Sequence, residues 1–81
     1  YPNPFNPTTT IGFNIDGETL QATSLRIYDI LGRLMETLVD EQLGQGIHEI
    51  QWNAANQPSG IYFIQLRSRD FIQTQKAILV K

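Results

Sequence analysis

The chain has 81 residues, of which 17% are charged, with a formal net charge of -2 and no cysteine. One small domain with a marginal core fits that length; no disulfide can staple it and no thiolate can hold a metal. The mild acidity argues against a nucleic-acid partner, and no apolar run reaches the roughly 18 residues of a membrane helix, so no membrane insertion is expected.

Pro2, Pro4 and Pro7 fix their own backbone torsions and push the preceding residues toward extended geometry. Residues 1–7 therefore read as an extended, proline-rich opening that lays Tyr1 and Phe5 against apolar surface, and residues 8–81 as the folded body. A start at Tyr1 with no initiator methionine suggests a piece of a longer protein.

Strand signals follow. Ile11, Phe13 and Ile15 alternate with Gly12 and Asn14, and Asp16-Gly17 is a turn pair. Leu25 and Ile27 alternate with Arg26 and Tyr28, and Asp29-Ile30-Leu31-Gly32 makes a turn. Residues 33–43 fit two patterns. Leu31, Leu34, Met35, Leu38 and Val39 form a helical stripe, and propensity favours a short helix. Strand neighbours and a short span between glycines favour a strand, in which a bulge would account for the unequal parity of Met35 and Leu38.

His48, Ile50 and Trp52 give the clearest alternation, and Asn53 to Pro58 is a loop. Ile61 to Leu66 is apolar on both faces and reads as a central strand. Thr74 to Val80 makes the last strand. Short strands at regular spacing indicate an all-β antiparallel sandwich.

Catalytic chemistry finds little support. His48 is the only histidine, so a zinc or copper site would need carboxylates for its other ligands. Ser24, Ser59 and Ser68 have no other ordinary base, and none sits in a strand-to-helix elbow. Asp16-Gly17-Glu18 and Asp40-Glu41 lack the spaced oxygens of a calcium loop. No catalytic residue, metal or cofactor is expected. Trp52 and Tyr62 are the best candidates for a sugar platform, but both lie on apolar-periodic strands, which favours core packing. Arg67, Arg69, Lys76 and Lys81 make the C-terminal end basic against Asp70 alone, whereas residues 1–66 carry only Arg26 and Arg33 against seven carboxylates. A last strand lying at a sheet edge can be read through added main-chain pairing; the same lysines would guard that edge.

Several pieces match a family together. They are Tyr1-Pro2-Asn3-Pro4-Phe5-Asn6-Pro7 with Thr10-Ile11, Ile27-Tyr28-Asp29 with Gly32-Arg33, Gly46 with His48, Trp52-Asn53, Ser59-Gly60-Ile61-Tyr62-Phe63, and Lys76 with Lys81. The chain resembles the C-terminal sorting domains of cargo exported by the type IX secretion system of Bacteroidetes. An immunoglobulin-like module of flagellar hook-capping proteins shares the Ile-Tyr-Asp, Gly-Arg and Trp-Asn pieces, but not the proline-rich opening or the lysine ending.

The resemblance implies an immunoglobulin-like sandwich of about seven strands at the C-terminus of a larger cargo. It implies recognition by the type IX translocon and removal by a cell-surface sortase, with transit through the periplasm to the surface. The carried-over recognition positions are Pro2, Asn3, Pro4, Gly60, Tyr62, Lys76 and Lys81; Ile64 departs from an aromatic common in the family. The position of Gly60 ahead of an apolar strand suggests a backbone conformation closed to side chains. A homodimer stays open as an assembly. The competing readings are a passive spacer or carbohydrate-binding module of a secreted hydrolase, and a small enzyme.

Overall fold

The computed structural model describes residues 7–17, 19–69 and 71–80. Their strands are β1 (Thr8–Ile15), β2 (Gln21–Asp29), β3 (Leu34–Leu43), β4 (Gly46–Asn53), β5 (Gly60–Ser68) and β6 (Phe71–Leu79). All pairing is antiparallel, in a four-stranded sheet of order β3-β2-β5-β6 and a two-stranded sheet β1-β4. These orders correspond to the C′-C-F-G and B-E strands of an immunoglobulin sandwich. The described residues thus hold six strands where about seven were expected. Of the opening segment only Pro7 is described; its carbonyl accepts a hydrogen bond from the Ala54 amide at 2.8 Å.

The core lies between the sheets. Leu25 and Ile27 of β2, and Ile64 and Leu66 of β5, face Ile11 of β1 and Trp52 of β4, all buried. Alternation makes this possible, because every second side chain of a strand points to the same face. β5 lies between β2 and β6, as its two-sided apolar pattern predicts.

Residues 33–43 resolve as strand. The β2–β3 register runs Leu25↔Val39, Arg26↔Thr37, Ile27↔Glu36 and Tyr28↔Leu34, so it slips once past Leu38 and once past Met35. Each slip is a bulge that turns one extra side chain inward. Met35, Leu38 and Leu43 consequently pack against the core beside buried Val39. The spacing that resembles a helical stripe is that of a strand bulged twice.

The last strand begins at Phe71 rather than Thr74. Arg69 takes the left-handed conformation with φ 53°. A tight connection results, and the β5–β6 ladder runs unbroken from Ser68↔Phe71 to Gly60↔Leu79.

Candidate functional site

Two features meet at the end of the larger sheet where β2 finishes and β5 starts. The first is the β2–β3 hairpin. One Asp29 carboxylate oxygen accepts from the backbone amides of Leu31 and Arg33, each at 2.9 Å, and the other accepts from the Arg33 guanidinium at 2.7 Å. Gly32 has φ 81°, and its amide donates to the Asp29 carbonyl at 3.0 Å. The Tyr-Asp-x-x-Gly-Arg spacing is therefore a turn device: a short acid to tie the loop, a glycine for positive φ, and an arginine to hold the acid.

The Arg33 backbone amide holds the Asp29 carboxyl below the usual carboxylate range; desolvation opposes this, and the Arg33 side chain and the Leu31 amide add to it. The consequence for stability has a definite sign. The turn contributes fully above the unfolded aspartate value of about 4 and loses its contribution as pH falls through the lower folded value. Acid titration followed by the chemical shifts of Leu31 and Arg33 should show the loop loosening only below that ordinary value.

The second feature is Tyr62, which is 4% exposed. Its hydroxyl donates to the Pro58 carbonyl at 2.6 Å, four residues upstream. Its ring packs edge-on against Trp52, with centroids 5.5 Å apart. This is the tyrosine corner that closes the E–F connection of immunoglobulin-type sandwiches. Burial, and then the charge of Asp29, raise the Tyr62 pKa, so its protonated form belongs to the folded state. Tyr62→Phe should cost about 1–2 kcal/mol, because the Pro58 carbonyl loses its partner. Urea titration of the two proteins measures the difference; equal midpoints would remove the corner from the account.

Gly60 opens β5 with φ 153°, a region that L side chains avoid, and no heavy atom lies within 4 Å of where a Cβ would stand. Its requirement is a matter of backbone rather than space. Lys76 is exposed on β6 opposite Phe63. The fold thus gathers Gly60 and Tyr62 at one end of the sheet and sets Lys76 three residues from the end of β6. Pro2, Asn3, Pro4 and Lys81 lie outside the described residues.

Other candidates settle into the fold. Trp52 is 0% exposed, so neither it nor Tyr62 offers a ring to a sugar. His48 stacks on Phe13 with centroids 5.5 Å apart, and its Nε2 lies 2.9 Å from the Gly44 carbonyl. Ser68 is buried and donates to the Gln21 side-chain oxygen at 3.0 Å.

Sequence reading did not single out the first half of the last strand. Among the described residues β6 ends the strand order of the larger sheet, beside β5. Phe71, Ile72, Gln73, Thr74, Gln75 and Lys76 are all exposed, whereas Ala77 and Leu79 are buried. Beside this half a groove of about 690 Å³ separates β1 from the β5–β6 hairpin, with Phe13, Leu66, Phe71 and Gln73 among its lining. The signal was present in the sequence: Phe71 and Ile72 are large apolar residues just after a turn, in a segment with no apolar alternation.

An antiparallel sandwich with Trp52 and Tyr62 buried between its sheets has immunoglobulin-like architecture. The chain belongs to the secretion system C-terminal sorting domain family, whose model matches residues 1–81. It is thus a sorting signal of type IX secretion, in a family that is not catalytic. Such a domain implies a cargo, the secretion machinery, and a secreted or cell-surface protein that passes the outer membrane. No curated protein matches the chain. Among solved structures it is similar to the Ig1 domain of mouse SynCAM 2, at 15% identity and a TM-score of 0.46, over 96% of this chain and 87% of that one.

Proposed function

We propose that residues 1–81 act as one folded label, with residues 1–7 as its opening segment, that the type IX translocon recognises through the edge of β6 and the loops beside it. The label joins a cargo that precedes it, crosses the periplasm folded, and is removed by a surface sortase. Gly60 and Tyr62 act by holding the β5 end in shape; Lys76 and Lys81 act by contact, and Pro2, Asn3 and Pro4 at the junction with the cargo. The observation that carries this reading is that β6 ends the larger sheet among the described residues and is exposed from Phe71 to Lys76.

The test is export of a periplasmic reporter fused ahead of these 81 residues in a type IX-competent cell. Truncation from Lys76 is a poor probe, because it also removes Ala77 and Leu79, which are 0% and 1% exposed. It would unfold the label as well as erase the edge. Lys76→Glu changes the edge alone. Surface delivery of the wild-type fusion with retention of the Lys76→Glu fusion supports the reading; retention of the wild-type fusion sinks it.

A further inference from the structure

The outer face of the larger sheet carries an ordered pattern of charge and apolarity. Residues directly opposite across a ladder share a face. The register therefore places Leu34, Tyr28, Phe63 and Lys76 in one row, and Asp40, Ser24, Arg67 and Ile72 in another. Both rows point away from the core, because the residues that alternate with them, Leu25 and Ile27 of β2 and Ile64 and Leu66 of β5, are buried in it. Tyr28 and Phe63 stand half-buried on the two central strands. To one side lies β3, which carries Glu36, Asp40 and Glu41 and no cation. To the other lie Arg67 and Lys76, on strands that carry no carboxylate. Glu36, Asp40, Arg67 and Lys76 are exposed, and none is ion-paired among the described residues.

Such a face is complementary to itself. A twofold axis parallel to the strands lays two sheets face to face with their strands aligned, as sheets ordinarily pack. It sets β2 over β5 of the second copy, so that Tyr28 meets Phe63 twice. It sets β3 over β6 of the second copy, so that the acidic strand of each copy meets the cations of the other. Arg26, half-buried next to Tyr28 on this face, meets Gln65 of the second copy, whose side-chain oxygen accepts from a guanidinium. A twofold axis across the strands would instead set β3 on β3 and β6 on β6, like charge on like. A uniformly charged partner would lose at one side of the face what it gained at the other. The charge pattern thus favours a second copy and selects its orientation.

We propose that the outer face of the larger sheet is a self-complementary docking surface on which a second copy of this chain binds about a twofold axis parallel to the strands. This goes beyond the reading of the chain as a sorting signal and does not depend on it. Four strands about 4.8 Å apart, with about seven residues along each rising about 3.3 Å, give a footprint of roughly 440 Å² in each copy. A face of that size makes a weak, reversible contact rather than an obligate dimer.

The experiment uses the 81-residue chain and two charge-reversed forms of it. One carries Glu36→Lys with Asp40→Lys, the other Arg67→Glu with Lys76→Glu; all four positions are exposed, and circular dichroism checks that both forms fold. Analytical ultracentrifugation of the wild type at rising concentration, up to millimolar, is expected to show a monomer–dimer equilibrium that weakens with added salt. Each reversed form alone should dimerise at least about tenfold more weakly, because like charges then face each other. An equimolar mixture of the two should recover association close to that of the wild type, since every facing pair is again of opposite sign. Amide chemical shifts of Tyr28 and Phe63 should move on dilution of the wild type. A wild type that stays monomeric, a dimer indifferent to salt, reversed forms that dimerise as the wild type does, or a mixture that does not associate would overturn the proposal. So would dilution shifts confined to β1 and β4. Reporter export is read separately: a fusion that reaches the surface although its domain is monomeric sinks the dimer and leaves the sorting signal standing.

Discussion

Trp52→Ala is expected to remove a large part of the domain's stability and sharply lower its unfolding midpoint. Trp52 is the largest fully buried side chain, and it stands on the smaller sheet with its ring against Tyr62 of the larger one. A Trp→Ala change in a core costs about 3–5 kcal/mol, whereas a domain of this length has roughly 4–12 kcal/mol in all. The loss falls where the two sheets meet, and β1-β4 has only two strands with which to hold the contact. Circular dichroism and urea titration measure the outcome. Trp52→Phe, which keeps an aromatic ring in the gap, should retain a cooperative transition at a lower midpoint. A melting temperature for Trp52→Ala within a few degrees of wild type would show that the sheets are held together elsewhere.

Gly60→Val should destabilise by about 1–3 kcal/mol through backbone strain. At φ 153° every side chain is disfavoured, and because nothing lies within 4 Å of the added Cβ, crowding contributes nothing. Gly60→Ala is therefore expected to be harmful as well. Gly12 is the control. It also has open space around its Cβ position but takes no positive φ, so Gly12→Ala should be close to neutral. Chemical denaturation of the three variants separates strain from packing, and tolerance of alanine at Gly60 equal to that at Gly12 would remove the strain. In the export assay, Gly60→Val should reduce surface delivery in proportion to the fraction unfolded.

The corner around Tyr62 explains why one end of the sheet serves as a frame. The hydroxyl ties Pro58 to β5, the Asp29 carboxylate ties the neighbouring hairpin, and the register Asp29↔Tyr62 joins the two. These bonds hold loops whose surface residues are apolar. Ile30, Leu31 and Leu34 are more than half exposed. A loop with such a surface keeps its shape through its main-chain bonds rather than through burial.

The all-β class, the turn at Asp29 to Gly32 and the central place of β5 were legible in the residues, because alternation, turn chemistry and two-sided apolarity are local properties. The conformation of Gly60 was legible for the same reason. Residues 33–43 were only half legible: the inward positions Met35, Leu38, Val39 and Leu43 suit a helix as well as a bulged strand, and a bulge forms against a partner strand that local sequence does not contain. The extent of β6 was missed because exposed Phe71 and Ile72 show no alternation.

The sequence alone determined that this protein is an all-β fold, with Trp52 and Tyr62 on apolar-periodic strands and most of its cations near its C-terminal end. Only the tertiary structure decided that β6 and the twice-bulged β3 lie at opposite ends of the larger sheet's described strand order, and that Trp52 and Tyr62 meet inside. Strand order depends on pairing between residues far apart in the chain, as in Asp29↔Tyr62 and Thr8↔Asn53. Periodicity reports which side of a strand is buried but not which strand lies beside it.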